Sequence, residues 1–286
     1  MKRRPVQLIS TLITNSYFYG LFAGQLIYRG PLKYFCVPSF NCYSCPLAIF
    51  ACPIGAMQAV AAGFAYQVAF YAIGIVGAVG AVVGRMACGW ICPFGLLQEY
   101  LYKIPSPKFR IPRFLNYAKY GFLLVMVILL PALLVNEYGL GEPYFCKLIC
   151  PAGTLEGGIP IPFLEPALKA QLGHIYFLKI SILVFFLGWM VVSHRAFCRT
   201  TCPLGAIYSL FNRISLYSMS WDATTCIKCD ECEKQCPMGL KVYENPNSTN
   251  CIRCLKCRDA CPTGSVMYAH RYAHRPSEVA EQMPDA

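Results

Sequence analysis

Cys226, Cys229, Cys232 and Cys236-Pro237 are followed by Cys251, Cys254, Cys257 and Cys261-Pro262. Each run reads Cys-x2-Cys-x2-Cys-x3-Cys-Pro. Short steps of this kind wrap a tight loop around a cube of iron and sulfide, so that three thiolates reach three irons. In two-cluster proteins with this spacing the fourth cysteine of each run ligates the other cluster. That crossing assigns Cys226, Cys229, Cys232 and Cys261 to one [4Fe–4S] cluster, and Cys251, Cys254, Cys257 and Cys236 to a second. Two zinc sites are the competing chemistry; eight cysteines in this double pattern favour iron and sulfide.

Ten further cysteines precede these runs. Cys88-x3-Cys92-Pro93 and Cys198-x3-Cys202-Pro203 share a longer context. Arg85, both cysteines, the proline and Gly95 align in register with Arg195, Cys198, Cys202, Pro203 and Gly205. Each motif has two ligands, too few for a four-iron cluster, and together they make four. A shared third cluster at the inner boundary of a membrane is therefore expected. Each motif opens an amphipathic helix (Phe94 to Ile104, Leu204 to Ile214), whose amide donors suit an anionic cluster. Buried, metal-free thiols are the plain alternative.

A further set lies on loops of the opposite side. Cys146-x3-Cys150-Pro151-Ala152-Gly153 repeats the motif, and its partner loop offers Cys36, Cys42, Cys45 and Cys52. Cys52-Pro53-Ile54-Gly55 matches Cys-Pro-x-Gly, and Tyr34-Phe35-Cys36 matches Tyr144-Phe145-Cys146. The expected fourth cluster uses Cys36, Cys52, Cys146 and Cys150, with Cys45 or Cys42 able to replace one. Disulfides are the alternative if this face meets an oxidising compartment.

The elements that must position these residues are apolar. The chain is 56% hydrophobic and only 14% charged, against roughly 25% charged in an average soluble domain. Four apolar runs, about 8–28, 54–83, 114–135 and 174–193, approach or exceed the ~20 residues that cross a bilayer as a helix. Asn15 and Ser16 weaken the first, and Lys119 and Lys179 sit near span ends where a lysine can snorkel. A cleavable signal peptide does not fit, because three more spans follow the first.

The net charge of +11 gathers at Lys2 to Arg4, from Lys103 to Arg113, and around the tail, as charge flanking membrane spans rather than a nucleic-acid surface. The basic loop between spans two and three puts both termini in the cytoplasm. The expected fold is mostly α: a four-helix transmembrane domain over 1–219 with internal duplication (about 8–113 and 114–219), a two-cluster module over 220–270 and a tail over 271–286.

Other cofactors lack ligands. His174 and His194 lie at opposite ends of one span, and His270 and His274 follow the cluster runs, so paired haem ligands are not evident. Nor is there a Gly-x-Gly-x-x-Gly or P-loop for a flavin or NAD. Arg85, Glu99, His194 and Arg195 could form the environment of a quinone or of the inner cluster. No residue is expected to be catalytic.

Four spans, paired inner Cys-x3-Cys-Pro motifs and a terminal two-cluster ferredoxin resemble the NapH-type membrane ferredoxins. Relatives of these occur in the NosR and methylamine-utilisation groups. The resemblance rests on Cys88, Cys92, Cys198, Cys202 and the eight ferredoxin cysteines. It implies an electron-transfer subunit of an oxidoreductase complex, a quinol dehydrogenase component, set in lipid with other redox subunits. The six outer cysteines go beyond the paired inner motifs of that family. A transmembrane wire between partners on the two sides, without quinone chemistry, and a non-redox assembly subunit are the alternatives.

Overall fold

The computed structural model describes residues 3–22, 26–63, 67–137 and 141–271. His274 and most of the expected tail lie outside the described residues. The chain forms two compact units, one from Met1–Gly77 with Trp90–Ala206 and the other from Ala78–Gly89 with Ile207–Ala286.

Two of the four apolar runs form continuous helices long and apolar enough to cross a membrane, Arg113–Leu133 with 21 residues and His174–Val192 with 19. The other two runs are interrupted. The first gives the 12-residue helix Arg3–Thr14. It stops at Asn15, whose amide side chain donates back to the Thr11 carbonyl at 3.1 Å, competing with onward helix. The second gives Pro53–Ala61 and Gln67–Val83, with Gly63 at φ +83° breaking the run between them.

Helix Arg3–Thr14 is built inside out. Arg3, Gln7 and Thr14 are buried, whereas Ile9, Leu12 and Ile13 are 57%, 60% and 55% exposed. Helix His174–Val192 buries Leu183, Phe186 and Met190 and turns Phe177, Val184 and Phe185 outward, each more than 60% exposed. Large apolar side chains on an outward face, with polar ones turned in, are costly in water and natural against lipid.

Inside the first unit, phenylalanines bind the cysteine loops together. Phe40, Phe94, Phe145 and Phe197 are all at most 3% exposed. Phe40 meets Phe94, Phe145 and Phe197 at ring separations of 5.9, 6.5 and 5.5 Å. Phe94 and Phe197 meet at 5.2 Å, edge to face, an arrangement the ring quadrupole favours.

In the second unit, β1 (Tyr217–Trp221) pairs antiparallel with β2 (Val266–His270), with Trp221 opposite Val266. This two-stranded ribbon closes the chain on either side of the two cysteine runs. Two four-residue helices, Glu231–Lys234 and Lys256–Asp259, are the only helical turns between the strands among the described residues. So small a fold needs something besides an apolar core to hold it.

Candidate metal centres

The two ferredoxin runs repeat at the level of backbone angles. Lys228 and Asp230 have φ of 52° and 56°, and Arg253 and Leu255, each 25 positions later, have 49° and 62°. Gly239 and Gly264, also 25 apart, have 63° and 67°. Left-handed residues alternating with right-handed ones turn successive N–H groups inward, a concavity that suits an anion.

The result is two cavities. One is lined by Cys226, Cys229, Cys232 and Cys261 together with Trp221 and Val266. The other is lined by Cys236, Cys251, Cys254 and Cys257 together with Met219 and Met238. Each takes three cysteines from one run and the fourth from the other. Among the described residues no three His, Cys, Asp or Glu side chains gather tightly enough to hold a single ion; here the cysteines stand around cavities, a spacing that fits a cube of iron and sulfide. Burial acts to raise the Cys261 thiol, but hydrogen bonds from Ser265 and Thr263 bring its pKa down to about 6, which suits a thiolate ligand.

The second run is anchored from behind. The Arg253 guanidinium, 1% exposed, donates to the carbonyls of Val83, Tyr217 and Asn212 at 2.9, 2.6 and 2.8 Å. Arg85 donates through its backbone N–H to Asn212 Oδ1 at 2.9 Å and through its side chain to the Thr249 carbonyl at 3.2 Å. Asn212 in turn donates to the carbonyls of Ser248 and Cys251. Arg85 thus fastens the turn that presents Cys251. Cys88 lies in this unit as well, buried, with its N–H donating to the Arg85 carbonyl at 3.2 Å.

In the first unit, the Cys-Pro-x-Gly motif has a structural meaning. Cys92 and Cys150 are N-caps, with proline at the first helical position, where its missing N–H costs nothing. The glycine N–H then donates to the cysteine sulfur: Gly95 to Cys92 at 3.4 Å, Gly153 to Cys150 at 3.2 Å and Gly205 to Cys202 at 3.4 Å. Cys92, Cys198 and Cys202 are all buried.

A residue not foreseen from the motifs completes the pattern. Gln98, six positions after Cys92, donates from Nε2 to Cys198 Sγ at 2.9 Å. Gln58, six positions after Cys52, donates to Cys146 Sγ at 3.1 Å, and its Oε1 accepts the Phe145 N–H at 3.0 Å. Cys-Pro-x-Gly-x-x-Gln occurs twice in the sequence, and that recurrence was the available signal.

Glu99 accepts from Arg195 Nη2 at 2.6 Å and from Nε at 3.0 Å, and it also pairs with Arg3. Burial alone would raise the Glu99 pKa, but the Arg195 and Arg3 charges hold it below the usual carboxylate range. Burial would lower that of Arg195; Glu99, with Cys198 and Cys92 nearby, more than offsets this. His194 packs edge-on against Tyr102 at 4.8 Å.

In the outer set, Cys36, Cys42, Cys45, Cys52, Cys146 and Cys150 are all unbridged thiols. Cys36 packs with Ala51, Ala72 and Ala56, its backbone bridged in parallel to Ala51. Cys45 Sγ lies 3.8 Å from Asn15 Oδ1. Burial pushes the Cys52 thiol up to about 12, with the Cys146 charge adding to it. Burial likewise pushes Cys42 up to about 12, with Glu156 adding to it. Crowded, buried thiols of this kind become thiolates only when a metal compensates the charge.

The chain matches the 4Fe-4S binding domain family over residues 64–112, 120–159 and 177–220. Each matched segment contains one Cys-x3-Cys-Pro motif: Cys88/Cys92, Cys146/Cys150 and Cys198/Cys202. It is 32% identical to the uncharacterized protein MJ0750 of Methanocaldococcus jannaschii, over 57% of this chain and 63% of the relative. It is 26% identical to the putative electron transport protein YccM of Escherichia coli, over 54% of this chain and 42% of that protein. It is 34% identical to the methylamine utilization ferredoxin-type protein MauN of Paracoccus denitrificans, over 30% and 32%. The chain thus spans less than two thirds of the length of these relatives. No solved structure matches it. Its domain matches and its ferredoxin-type relatives are consistent with the NapH-type membrane ferredoxin family, which the chain resembles.

Proposed function

We propose that this chain is a multi-pass membrane subunit that exchanges single electrons between the quinone pool and a redox partner, using iron–sulfur clusters held by its cysteines. A bound [4Fe–4S] cluster supplies one-electron chemistry over a wide range of potentials. Cys226, Cys229, Cys232 and Cys261 would hold one cluster, Cys236, Cys251, Cys254 and Cys257 a second, and Cys88, Cys92, Cys198 and Cys202 a third. The observation that carries this proposal is the pair of four-cysteine cavities, each built from both runs.

Lipid contact is supported by the two long apolar helices and by the outward apolar faces of Arg3–Thr14 and His174–Val192. Four crossings are read from the four apolar runs of the sequence, and both termini in the cytoplasm from loop charge. Reporter fusions at the two ends test the topology: activity of an exported reporter at either terminus would overturn it.

Quinol would donate at the inner motifs, where Glu99 and Arg195 form a buried pair beside Cys198. The test is reduction of the purified protein by a reduced quinone analogue, followed by the bleaching of cluster absorbance. Cys202→Ala is expected to abolish it; reduction at the parent rate in that variant would overturn the quinol route.

An electron wire between partners on the two sides is the alternative, and one observation favours it. The Phe40 carbonyl, on the loop expected at the outer side, lies 3.9 Å from Cys92 Sγ of an expected inner motif. Phe40 lies two residues before Cys42, and Phe145 next to Cys146, so buried rings fill the space between inner and outer thiols. The ~30 Å hydrocarbon core would otherwise be too wide for tunnelling. Electron exchange with a membrane-impermeant dye on the outer side, undiminished when quinone is absent, would select the wire.

A further inference from the structure

Three motifs in the first unit place a polar side chain six residues beyond a Cys-Pro. Gln98, after Cys92, reaches Cys198. Gln58, after Cys52, reaches Cys146. Glu156, after Cys150, accepts the backbone N–H of Cys42 through Oε2 at 2.6 Å. In the first two cases the target is the leading cysteine of the facing Cys-x3-Cys-Pro motif. Cys42 occupies the equivalent place in the third.

The usual spacing would put the leading cysteine of the Cys52 motif at position 48. Ala48 stands there, fully buried. The loop from 42 to 52 instead brings Cys42 back to the site. A Cβ placed on Gly153 would lie 3.5 Å from Cys150 Sγ and 3.9 Å from Cys42 Sγ, so the two sulfurs flank the same glycine. Cys36 has an apolar alanine neighbourhood, and Cys45 turns toward Asn15.

We infer that Cys42, rather than Cys36 or Cys45, completes an outer four-thiolate site with Cys52, Cys146 and Cys150, and that this site takes a [4Fe–4S] cluster. Glu156 is its positioning residue, holding the Cys42 backbone as Gln58 holds that of Phe145, the neighbour of Cys146. The inference rests on the iron–sulfur proposal above. Binding would release the four thiol protons as the sulfurs ligate iron.

The test is iron and acid-labile sulfide per full-length chain, purified anaerobically, with EPR of the reduced and oxidised forms. The parent should carry about sixteen irons, four per site. Cys42→Ala should lose about four, or about one with the EPR signature of a three-iron cluster; Cys36→Ala and Cys45→Ala should match the parent. Glu156→Gln should keep the parent count, since glutamine serves at the two sister positions, and Glu156→Leu should lose about four.

Iron loss from Cys36→Ala or Cys45→Ala with retention in Cys42→Ala would overturn the assignment. If Cys42→Ala failed to fold, the two Glu156 variants would decide, and equal counts in both would overturn it. A parent count near twelve would overturn the outer cluster while leaving the other sites standing; a parent without sulfide would overturn the iron–sulfur proposal itself.

Discussion

Gln98 Nε2 donates to Cys198 Sγ across 2.9 Å of buried interior. The bond joins a helix that starts at one Cys-Pro motif to the leading cysteine of another, 100 residues away in sequence. Gln58 does the same for Cys146. A donor fixed on a ligating sulfur withdraws charge from it and stabilises the reduced, more negative cluster.

Gln98→Leu should therefore lower the reduction potential of the inner cluster. Loss of one hydrogen bond to a charged group, about 1.5 kcal/mol, corresponds to roughly 60 mV for one electron. Redox titration monitored by EPR reads the shift, while the iron content should stay at the parent value. An unchanged potential would remove Gln98 from the cluster environment.

Glu99 lies between Arg195, which is fully buried, and Arg3. Glu99→Leu leaves the Arg195 charge without its carboxylate, at a cost of about 3–5 kcal/mol. Thermal unfolding in detergent should show a large drop, and Glu99→Leu combined with Arg195→Leu should recover much of it. Because Glu99 is held below its ordinary pKa, the stability it contributes is present above the unfolded-state value and lost as pH falls through the folded one. The parent should lose stability in acid over that window, and Glu99→Leu should lose less.

Arg253 ties the second cysteine run to three carbonyls. Arg253→Leu strands those acceptors, each worth about 1–3 kcal/mol when buried and unpaired. The expected outcome is selective loss of about four irons from the site that Cys251, Cys254 and Cys257 line. Full iron retention would show that the loop is held by other contacts.

Gly239 and Gly264 sit at φ of 63° and 67° with nothing within 4 Å of an added Cβ. Alanine at either is thus sterically open and disfavoured only by backbone angle, about 1–2 kcal/mol. Each variant should release iron at a lower denaturant concentration than the parent, by similar amounts, because the two positions repeat.

The ferredoxin cysteines were legible because ligand spacing is local: a loop that must wrap a cube leaves its pattern in twelve consecutive positions. The four apolar runs were legible as composition, and two of them, 114–135 and 174–193, also as continuous helices. Asn15 ends the first run and Gly63 the second, and whether a chain continues past such residues depends on packing that sequence periodicity does not contain. Arg85, expected near a quinone or the inner cluster, also fastens the Cys251 turn through Asn212 and Thr249, a role that its alignment with Arg195 does not contain. The partner of Cys52 was the least legible. Cys36 shares its local context with Cys146, but Cys42 shares the tertiary one, through Glu156.

The most direct test of the central claim is the iron and sulfide content of the anaerobically purified chain. About sixteen of each per chain, with EPR signals that titrate, is the expected result, four clusters of four. Eight or fewer would confine the clusters to the ferredoxin runs and contradict the claim that the membrane cysteines carry iron.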